Sequence, residues 1–270
     1  TSEAFSARQK TDAGLPRLEA QLLLHMAGGG NRVTQLTWPE REAGAEVAQR
    51  FAALCARRHA GEPIAYLLGE REFFGLDLAV SPAVLIPRPD TEILVDTALA
   101  RLPADGRALD LGTGSGAVAL ALAHSRPDAD IWALDASPEA LALAQANGQR
   151  LNLAVTWRLS DWYAAVAGEQ FDLLVSNPPY IAADDPHLQQ GDLRFEPAGA
   201  LTDFADGLSC IRQLIAGAPT HLRPGGWLLM EHGWQQAPAV RELLSAAGFI
   251  DVASWQDLAG HERVTGGRWR

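Results

Sequence analysis

Short apolar runs alternate with longer segments of helical pattern from Arg107 onward. Strands are predicted to start at Ala108, Ile131, Val155 and Phe171. Strands that alternate with helices build a parallel sheet that is covered by helices, so this part of the chain is predicted to have an α/β fold. Because such sheets bind ligands at the carboxyl ends of their strands, the residues that follow each strand are the first candidates for function.

The strand that begins at Phe171 is followed by the motif Asn177-Pro178-Pro179-Tyr180. Its two prolines cannot continue a ladder of hydrogen bonds, so the strand must end there. The motif presents an amide, backbone carbonyls and an aromatic ring at the edge of the sheet. Acceptor oxygens and a ring can hold a planar group that bears an NH2, the acceptors taking its N–H bonds. For the motif alone, a rigid structural turn is the preferred interpretation.

A glycine-rich turn, DLGTGSG at residues 110–116, stands where the first predicted strand becomes a helix. Glycines at this point let a ligand lie against bare backbone at the N-terminus of the helix. Asp135 follows the second strand, 23 residues beyond Gly112, and can accept hydrogen bonds from both hydroxyls of a ribose. The turn and the acid together predict a nucleotide-like cofactor.

Two cofactors fit this pattern. The spacing Gly112-x-Gly114-x-x-Ala117 also satisfies a relaxed dinucleotide fingerprint. Asp110 favours S-adenosylmethionine, since an acid beside the glycines suits a cationic amino group and would repel a pyrophosphate. The motif at 177–180 contains neither His nor Lys for a hydride-transfer reaction, whereas it suits methyl transfer to an uncharged nitrogen.

Residues 1–70 are predicted to be helical. One helix is expected to open at Pro39 and to carry Val47, Phe51 and Leu54 on a single apolar face. Residues 72–80 read as a hairpin with a glycine turn. We therefore expect a helical domain at 1–70, a hairpin linker at 71–86 and a catalytic domain at 87–270. Within the catalytic domain, the helix that starts at Ser137 is expected to close at Gly148.

Charge and cysteine content exclude several classes of protein. The net charge is −11, and residues 81–270 carry thirteen Lys or Arg against twenty-three Asp or Glu, a net charge of −10. Long-range attraction to a phosphate backbone is thus not expected. Two distant cysteines indicate neither a disulfide framework nor a metal cluster, and fit a reducing cytoplasm. Neither a membrane span nor a signal peptide is expected.

Motifs in both halves of the chain resemble one family. They are GEPIAYLLG at 61–69, IPRPDTE at 86–92, LRFEP at 193–197 and DLAGHERV at 257–264, in addition to the glycine-rich turn and Asn-Pro-Pro-Tyr. Over roughly residues 15–270 the chain resembles the HemK/PrmC family. These enzymes are protein-(glutamine-N5) methyltransferases that modify the Gly-Gly-Gln motif of class-I peptide chain release factors.

The resemblance implies a class I S-adenosylmethionine-dependent methyltransferase with a Rossmann-like, seven-stranded sheet and a small N-terminal helical domain that helps to dock the release factor. The cofactor is expected at Asp110, Gly112, Thr113, Gly114, Ser115, Gly116, Asp135, Trp162 and Asn177. Trp162 would cover the adenine, with a plain core tryptophan as the alternative. The target glutamine is expected at Asn177, Pro178, Pro179 and Tyr180, and catalysis at Asn177, Pro178 and Tyr180. We expect a cytoplasmic monomer that binds neither metal nor nucleic acid.

Three other functions compete with this hypothesis. A methyltransferase of exocyclic amines in nucleic acids would share Asn-Pro-Pro-Tyr, because a base amine poses the same geometric problem. That enzyme would be expected to have a basic face, which the charge of residues 81–270 opposes. A non-catalytic nucleotide-binding module and a dehydrogenase are the other two possibilities, and Asp110 and Asn177 argue against both.

Overall fold

A computed structural model of the protein describes residues 14–270. The chain divides into two compact units, Thr1–Glu70 and Arg71–Arg270. In the described residues, no helix is long and apolar enough to cross a membrane.

The first unit is helical where it is described. Its helices are α1 (Arg17–Met26), α2 (Arg32–Thr37), α3 (Ala45–His59) and α4 (Ile64–Leu68). Leu23, Phe51 and Leu67 are buried together in its core. Asn31 caps α2, since its side chain accepts a hydrogen bond from the Thr34 backbone N–H at 2.9 Å.

The predicted helix start at Pro39 is wrong. Helix α2 ends before Trp38, which adopts a non-helical conformation, as expected for a residue that precedes proline. The next helix begins at Ala45, after Gly44 in an extended conformation. Residues 39–44 form the connection between the two helices.

The second unit contains nine strands if its first hairpin is included. The strands are β1 (Glu70–Phe73), β2 (Leu76–Ala79), β3 (Arg107–Leu111), β4 (Asp130–Asp135), β5 (Thr156–Leu159), β6 (Phe171–Ser176), β7 (Leu222–Glu231), β8 (Ile250–Gln256) and β9 (Glu262–Arg268). The helices are α5 (Glu92–Leu99), α6 (Ala117–Ser125), α7 (Pro138–Leu151), α8 (Ala198–Leu201), α9 (Ser209–His221) and α10 (Ala237–Ala246). Short 3-10 turns cover Pro89–Thr91, Ala164–Val166, Pro186–Gln189 and Gly191–Phe195.

Strands β1 and β2 pair with each other, and the other seven form one sheet in the order β5-β4-β3-β6-β7-β9-β8. The five strands β5, β4, β3, β6 and β7, in this spatial order, are parallel to one another. Strand β9 is antiparallel to both of its neighbours, β7 and β8. The expected seven-stranded α/β sheet is thus confirmed. The strand order reverses direction at β3, between β4 and β6, which is the place where open sheets bind ligands.

Successive residues of the central strands face opposite sides of the sheet. On β6, Leu173 and Val175 belong to one core, which also contains Leu94 of α5. Leu174 belongs to the other core, which contains Leu214 of α9. The central parallel strands β3 and β6 are therefore apolar on both faces, and their polar residues lie near the strand ends.

Helix α7 starts as expected but does not close at Gly148. Ser137 caps it, because its hydroxyl accepts a hydrogen bond from the Ala140 N–H at 3.1 Å. The helix continues to Leu151 and ends at Asn152, which adopts a left-handed conformation. Gly148 lies inside the helix, where a Cβ atom would stand 3.1 Å from the Trp157 ring. This glycine makes room for a neighbour, and it does not end the helix.

Close packing of β9 against β7 generates a stability prediction. Gly266 pairs with Leu229, and a Cβ at this glycine would overlap the Leu229 side chain and lie 2.5 Å from the Leu228 carbonyl oxygen. Because backbone cannot move aside cheaply, we expect Gly266→Ala to lower the free energy of unfolding by about 1–3 kcal/mol. Urea unfolding measures this loss. The matched control is Gly199→Ala, where a Cβ meets no atom within 4 Å; equal stability of the two variants would contradict the packing argument.

Candidate active site

A cavity of about 470 Å³ lies at the carboxyl ends of β3 to β6. Its volume is within the range of small-molecule sites. Among the residues proposed from the sequence, its wall contains Asp110, Gly112, Thr113, Gly114, Ser115, Asp135, Trp162, Asn177 and Pro179. Residues from four separate loops therefore meet at one site, because parallel strands place their carboxyl ends at the same edge.

The glycine-rich turn is tied to the end of β4. The backbone N–H groups of Gly112 and Thr113 both donate to the Leu134 carbonyl oxygen, each at 2.9 Å. The Gly114 N–H donates to Asp135 Oδ2 at 2.8 Å. Gly112 and Gly114 have φ angles of 77° and 56°, a left-handed conformation that explains why glycine is needed at both positions. The turn exposes backbone toward the cavity with no side chain in the way.

Asp110 is a buried acid in the cavity wall, with an exposed fraction of 2%. Its Oδ2 accepts hydrogen bonds from the Thr113 hydroxyl at 2.7 Å and from the Ala119 N–H at 3.2 Å. Its Oδ1 accepts none from the described residues. Burial raises the pKa of Asp110 to about 7, and the nearby Asp135 charge acts in the same direction. A carboxyl with an open oxygen in such a place is suited to receive a cation.

Asp135 ends β4 and holds the next helix as well as the turn. Its Oδ1 accepts a hydrogen bond from the Ser137 N–H at 2.9 Å. A carboxylate offers about four lone-pair positions, so oxygens that already bind Ser137 and Gly114 can still accept from a ligand. Asp135 is half-buried in the cavity wall. Its position agrees with the ribose-binding role proposed from the sequence.

Trp162 lies in the cavity wall in a strained backbone conformation. Its φ angle is 45°, which is rare for a bulky residue and costs on the order of 1–3 kcal/mol. Its carbonyl oxygen accepts a hydrogen bond from the Ser160 hydroxyl at 2.7 Å. A Cβ at Gly112 would lie 3.9 Å from the Trp162 ring, so the ring stands over the glycine-rich turn. Trp162 also packs against the hydrophobic core that contains Leu109 and Leu134, so it borders both the cavity and the core.

Asn177 follows β6 and reaches the cavity with one end of its amide already bound. Its Nδ2 donates to the Thr91 hydroxyl oxygen at 3.2 Å. Its Oδ1 accepts no hydrogen bond within the described chain, and neither does the carbonyl oxygen of Pro178. Asn177 lies in the cavity wall, so its Oδ1 is available to a ligand that carries an NH2.

Three of the proposed site residues lie outside the cavity wall. Pro178 is buried. The Tyr180 hydroxyl donates to Glu231 Oε1 at 3.1 Å, and its carbonyl accepts from Gln236 Nε2 at 3.0 Å. Gly116, with a φ angle of 86°, faces the core, where a Cβ would stand 3.0 Å from Leu120 Cδ1. Gly116 therefore serves close packing of helix against sheet.

Two further segments, neither of which directly follows a strand of the main sheet, complete the cavity wall. They contribute Ala83, Val84, Leu85, Pro87, Arg88 and Thr91 from one segment and Pro197, Gly199 and Ala200 from the other. The density of Pro, Arg, Thr and Glu at 86–92 is the local signal in the sequence that suggests a binding loop in the first segment. Arg88 forms an ion pair with the buried Glu196. Glu196 also accepts a hydrogen bond from the Ile86 N–H at 3.2 Å, so a single carboxyl joins the two loops.

The seven-stranded fold and its glycine-rich cavity define a class I methyltransferase. A solved structure of a T. thermophilus 16S rRNA N2 G1207 methyltransferase, in complex with AdoMet and guanosine, has the same fold. It superposes with a TM-score of 0.55 at 20% identity, over 74% of this chain and 50% of that one. The methyltransferase small domain model matches residues 89–196, and the PrmC N-terminal domain model matches residues 3–69.

Relatives cover the whole chain. A release factor glutamine methyltransferase from Pseudomonas aeruginosa is 54% identical over 263 residues, which are 97% of this chain and 95% of the relative. The corresponding protein of Escherichia coli is 51% identical over 269 residues, 99% of this chain and 96% of the relative. The chain belongs to the family of release factor glutamine methyltransferases.

The ion pair between the two loops generates a prediction. Glu196 has a fully buried side chain and Arg88 one that is 31% exposed. Arg88→Met leaves the carboxyl without its partner, and we expect a loss of about 1–3 kcal/mol in the free energy of unfolding, less than for a fully buried pair. Burial raises the pKa of Glu196 and Arg88 opposes this effect. Since Arg88 stabilises only the carboxylate, the deficit should be largest at high pH and should shrink as the carboxyl gains a proton.

Thermal unfolding of the wild type and of Arg88→Met at pH 8 and pH 5 measures how the stability deficit changes with pH. Arg212→Met is the matched control, because it removes an exposed ion pair with Asp206 and should change stability much less than Arg88→Met does. A deficit in Arg88→Met that stays constant across the pH range would show that lost packing, and not the ion pair, is responsible.

Proposed function

We propose that this chain transfers a methyl group from S-adenosylmethionine to the side-chain amide nitrogen of the glutamine in the Gly-Gly-Gln motif of class-I release factors. The observation that carries this proposal is the open acceptor Asn177 Oδ1 in the wall of a cavity that also contains a buried acid, Asp110. Family membership supports the substrate. Residues 1–70 would dock the release factor, the hairpin region 71–86 would link the domains, and residues 87–270 would carry out catalysis.

The residues present fit the cofactor. Asp110 offers an open carboxyl oxygen for the amino group, and the backbone of Gly112 and Gly114 leaves room for the ligand. Asp135 would hold the ribose, and Trp162 would pack on the adenine. When bound, the cofactor would supply an electrophilic methyl group on a cationic sulfur, and cleavage of that S–C bond on transfer would leave the sulfur as a neutral thioether.

The protein's own part in the reaction is positioning. An amide nitrogen is a poor nucleophile, because its lone pair is delocalised into the carbonyl. Asn177 Oδ1 and the Pro178 carbonyl would each accept one N–H of the target glutamine, which aims the nitrogen lone pair at the methyl group. The same two oxygens favour the positive charge that develops on nitrogen. Tyr180 would pack against the amide plane. Because the N–H becomes acidic only as the new N–C bond forms, its proton can leave to water without a strong base.

The partner and location follow from this proposal. The enzyme would act as a monomer in the cytoplasm on free release factor and would not bind nucleic acid directly. The net charge of −10 on residues 81–270 supports a protein substrate. Methylation of an exocyclic amine in a nucleic acid is the other outcome that the transfer experiment must be able to detect.

Transfer of label from S-adenosylmethionine tests the proposal. We expect label on a purified class-I release factor and none on its Gly-Gly-Gln→Gly-Gly-Ala variant, tRNA, rRNA or DNA. Asn177→Ala should lower kcat by about 10²–10³-fold, as when a preorganised polar contact to developing charge is removed. Its thermal unfolding should match that of the wild type. Label on nucleic acid alone would reject the release-factor assignment, and a kcat close to the wild-type value would reject the role of Asn177.

Cofactor binding should depend on pH through Asp110. Its pKa of about 7 in the free protein means that below pH 7 the carboxyl must release a proton before it can pair with the cationic amino group. We expect affinity to fall by up to about tenfold for each pH unit below 7. Asp110→Asn should bind about 10–100-fold more weakly at pH 7.5 and should show little change with pH.

Calorimetry between pH 5.5 and pH 7.5 measures both effects. 5′-Methylthioadenosine is the control ligand, because it keeps the nucleoside but lacks the amino group. It should bind the wild type and Asp110→Asn with similar affinity at each pH. The same loss of affinity for both ligands would show that the substitution disrupts the site as a whole.

A further inference from the structure

Glu231 is a buried acid that the mechanism above does not use. It ends β7, and its exposed fraction is 2%. In the register of the sheet, Ser176 of β6 pairs with Met230, so Asn177 and Glu231 follow at the same edge. An acid buried this deeply needs a reason, since removing a carboxylate from water is costly unless it is paired or hydrogen-bonded.

The first contact of interest joins Asn177 to Thr91. The Asn177 Nδ2 donates to the Thr91 hydroxyl oxygen at 3.2 Å, and Thr91 is buried at 4% exposure. The two ends of an asparagine amide have nearly the same shape, so packing alone does not decide which end faces the cavity. A hydroxyl can donate or accept. The Thr91 hydroxyl selects the NH2 end of the Asn177 amide only if the hydroxyl proton is donated to another acceptor.

The second set of contacts converges on Glu231. The Tyr180 hydroxyl donates to Glu231 Oε1 at 3.1 Å. Oε2 is buried and has no hydrogen-bond partner within the described residues, although the Thr91 hydroxyl is near enough to influence the carboxyl. Burial raises the pKa of Glu231 to about 7, whereas Thr91, Tyr180 and Arg263 lower it. The charge of Asp90 raises the pKa of Glu231.

We propose that Thr91 and Glu231 are positioning residues that set the orientation of the Asn177 amide. Glu231 Oε2 is a buried acceptor without a partner, and the Thr91 hydroxyl, whose oxygen accepts from Asn177, still has a proton to donate. As a carboxylate, Glu231 can only accept, so we assign the Thr91 proton to Oε2. Thr91 is then left as an acceptor for Asn177 Nδ2, which turns Asn177 Oδ1 toward the cavity. The same carboxylate fixes the Tyr180 ring through its hydroxyl. This inference rests on the proposed function, because it explains how the acceptor for the target N–H is kept in place.

Removal of the Thr91 hydroxyl tests the first contact. Thr91→Val keeps the shape of the side chain, and we expect it to lower kcat for the release factor by about 10–100-fold through misplacement of Asn177. Cofactor affinity should stay within about twofold of the wild type. Thr91→Ser restores the hydroxyl and should recover kcat to within about threefold. Thr97→Val is the matched control, a buried threonine on α5 that should leave kcat unchanged.

Reversal of polarity tests Glu231. In Glu231→Gln the side chain keeps its volume but can donate to Thr91, which frees the Thr91 proton to face Asn177 and favours the flipped amide. We expect kcat to fall by about tenfold or more, with thermal unfolding close to the wild type. Since both substitutions break one chain of contacts, the Thr91→Val/Glu231→Gln double variant should be no slower than about the slower single variant.

The Asn177 side-chain amide in a ¹⁵N-labelled sample gives a readout that needs no substrate. Its signal is assigned by its loss in Asn177→Ala. We expect slow hydrogen exchange of this NH2 in the wild type and in Thr91→Ser, and faster exchange in Thr91→Val and Glu231→Gln. This result does not depend on which substrate the wild type methylates. The proposed function and the proposed role of Thr91 and Glu231 can therefore fail separately.

Three results would overturn the inference. The first is a kcat for Thr91→Val equal to that of the wild type or of Thr97→Val. The second is a double variant in which the decrease in kcat equals the product of the decreases in the two single variants. The third is exchange of the Asn177 amide that is the same in all the proteins.

Discussion

The pairing of β3 with strands on both sides decides where the site residues lie. Asp110 of β3 is in register with Ala133 of β4 and with Val175 of β6. All three strands are parallel, so the glycine-rich turn, Asp135 and Asn177 leave the sheet at one edge. A shift of one residue in either pairing would turn alternate side chains to the opposite face and break up the cavity. The two apolar cores hold this register.

Buried acids then organise the site around that edge. Asp110, Glu196 and Glu231 are all nearly inaccessible to solvent, and burial raises the pKa of each. Each one acts on separate segments of the chain: Asp110 on the turn and on α6, Glu196 on the two loops of the cavity wall, and Glu231 on Tyr180 and Thr91. A buried carboxyl destabilises the fold when it has no donors and stabilises it when its donors are in place. Each of these three acids therefore favours the arrangement in which the segments that supply its donors are all correctly placed.

Much of the site could be predicted because its signals are local. Glycines with left-handed φ angles at 112 and 114, an acid at the end of β4 and prolines that stop β6 are each required by the conformation of a few neighbouring residues. The prediction for Gly148 was wrong because the role of this glycine is not decided locally. A glycine can end a helix or admit a neighbouring ring, and the choice depended on Trp157 in another element. Gly116, proposed as a cofactor contact, likewise faces the core.

The sequence by itself determined the α/β class, the cofactor turn, the motif that follows β6 and the resemblance to a family, since all of these reside in short segments with their own conformational rules. Tertiary structure alone decided that residues 83–88 and 197–200 close the cavity and that Glu231 lies beside Tyr180. Arg88 and Glu196 are 108 positions apart in the chain, and Tyr180 and Glu231 are 51 apart. No local propensity encodes such contacts, because they exist only after strand pairing has brought the loops together.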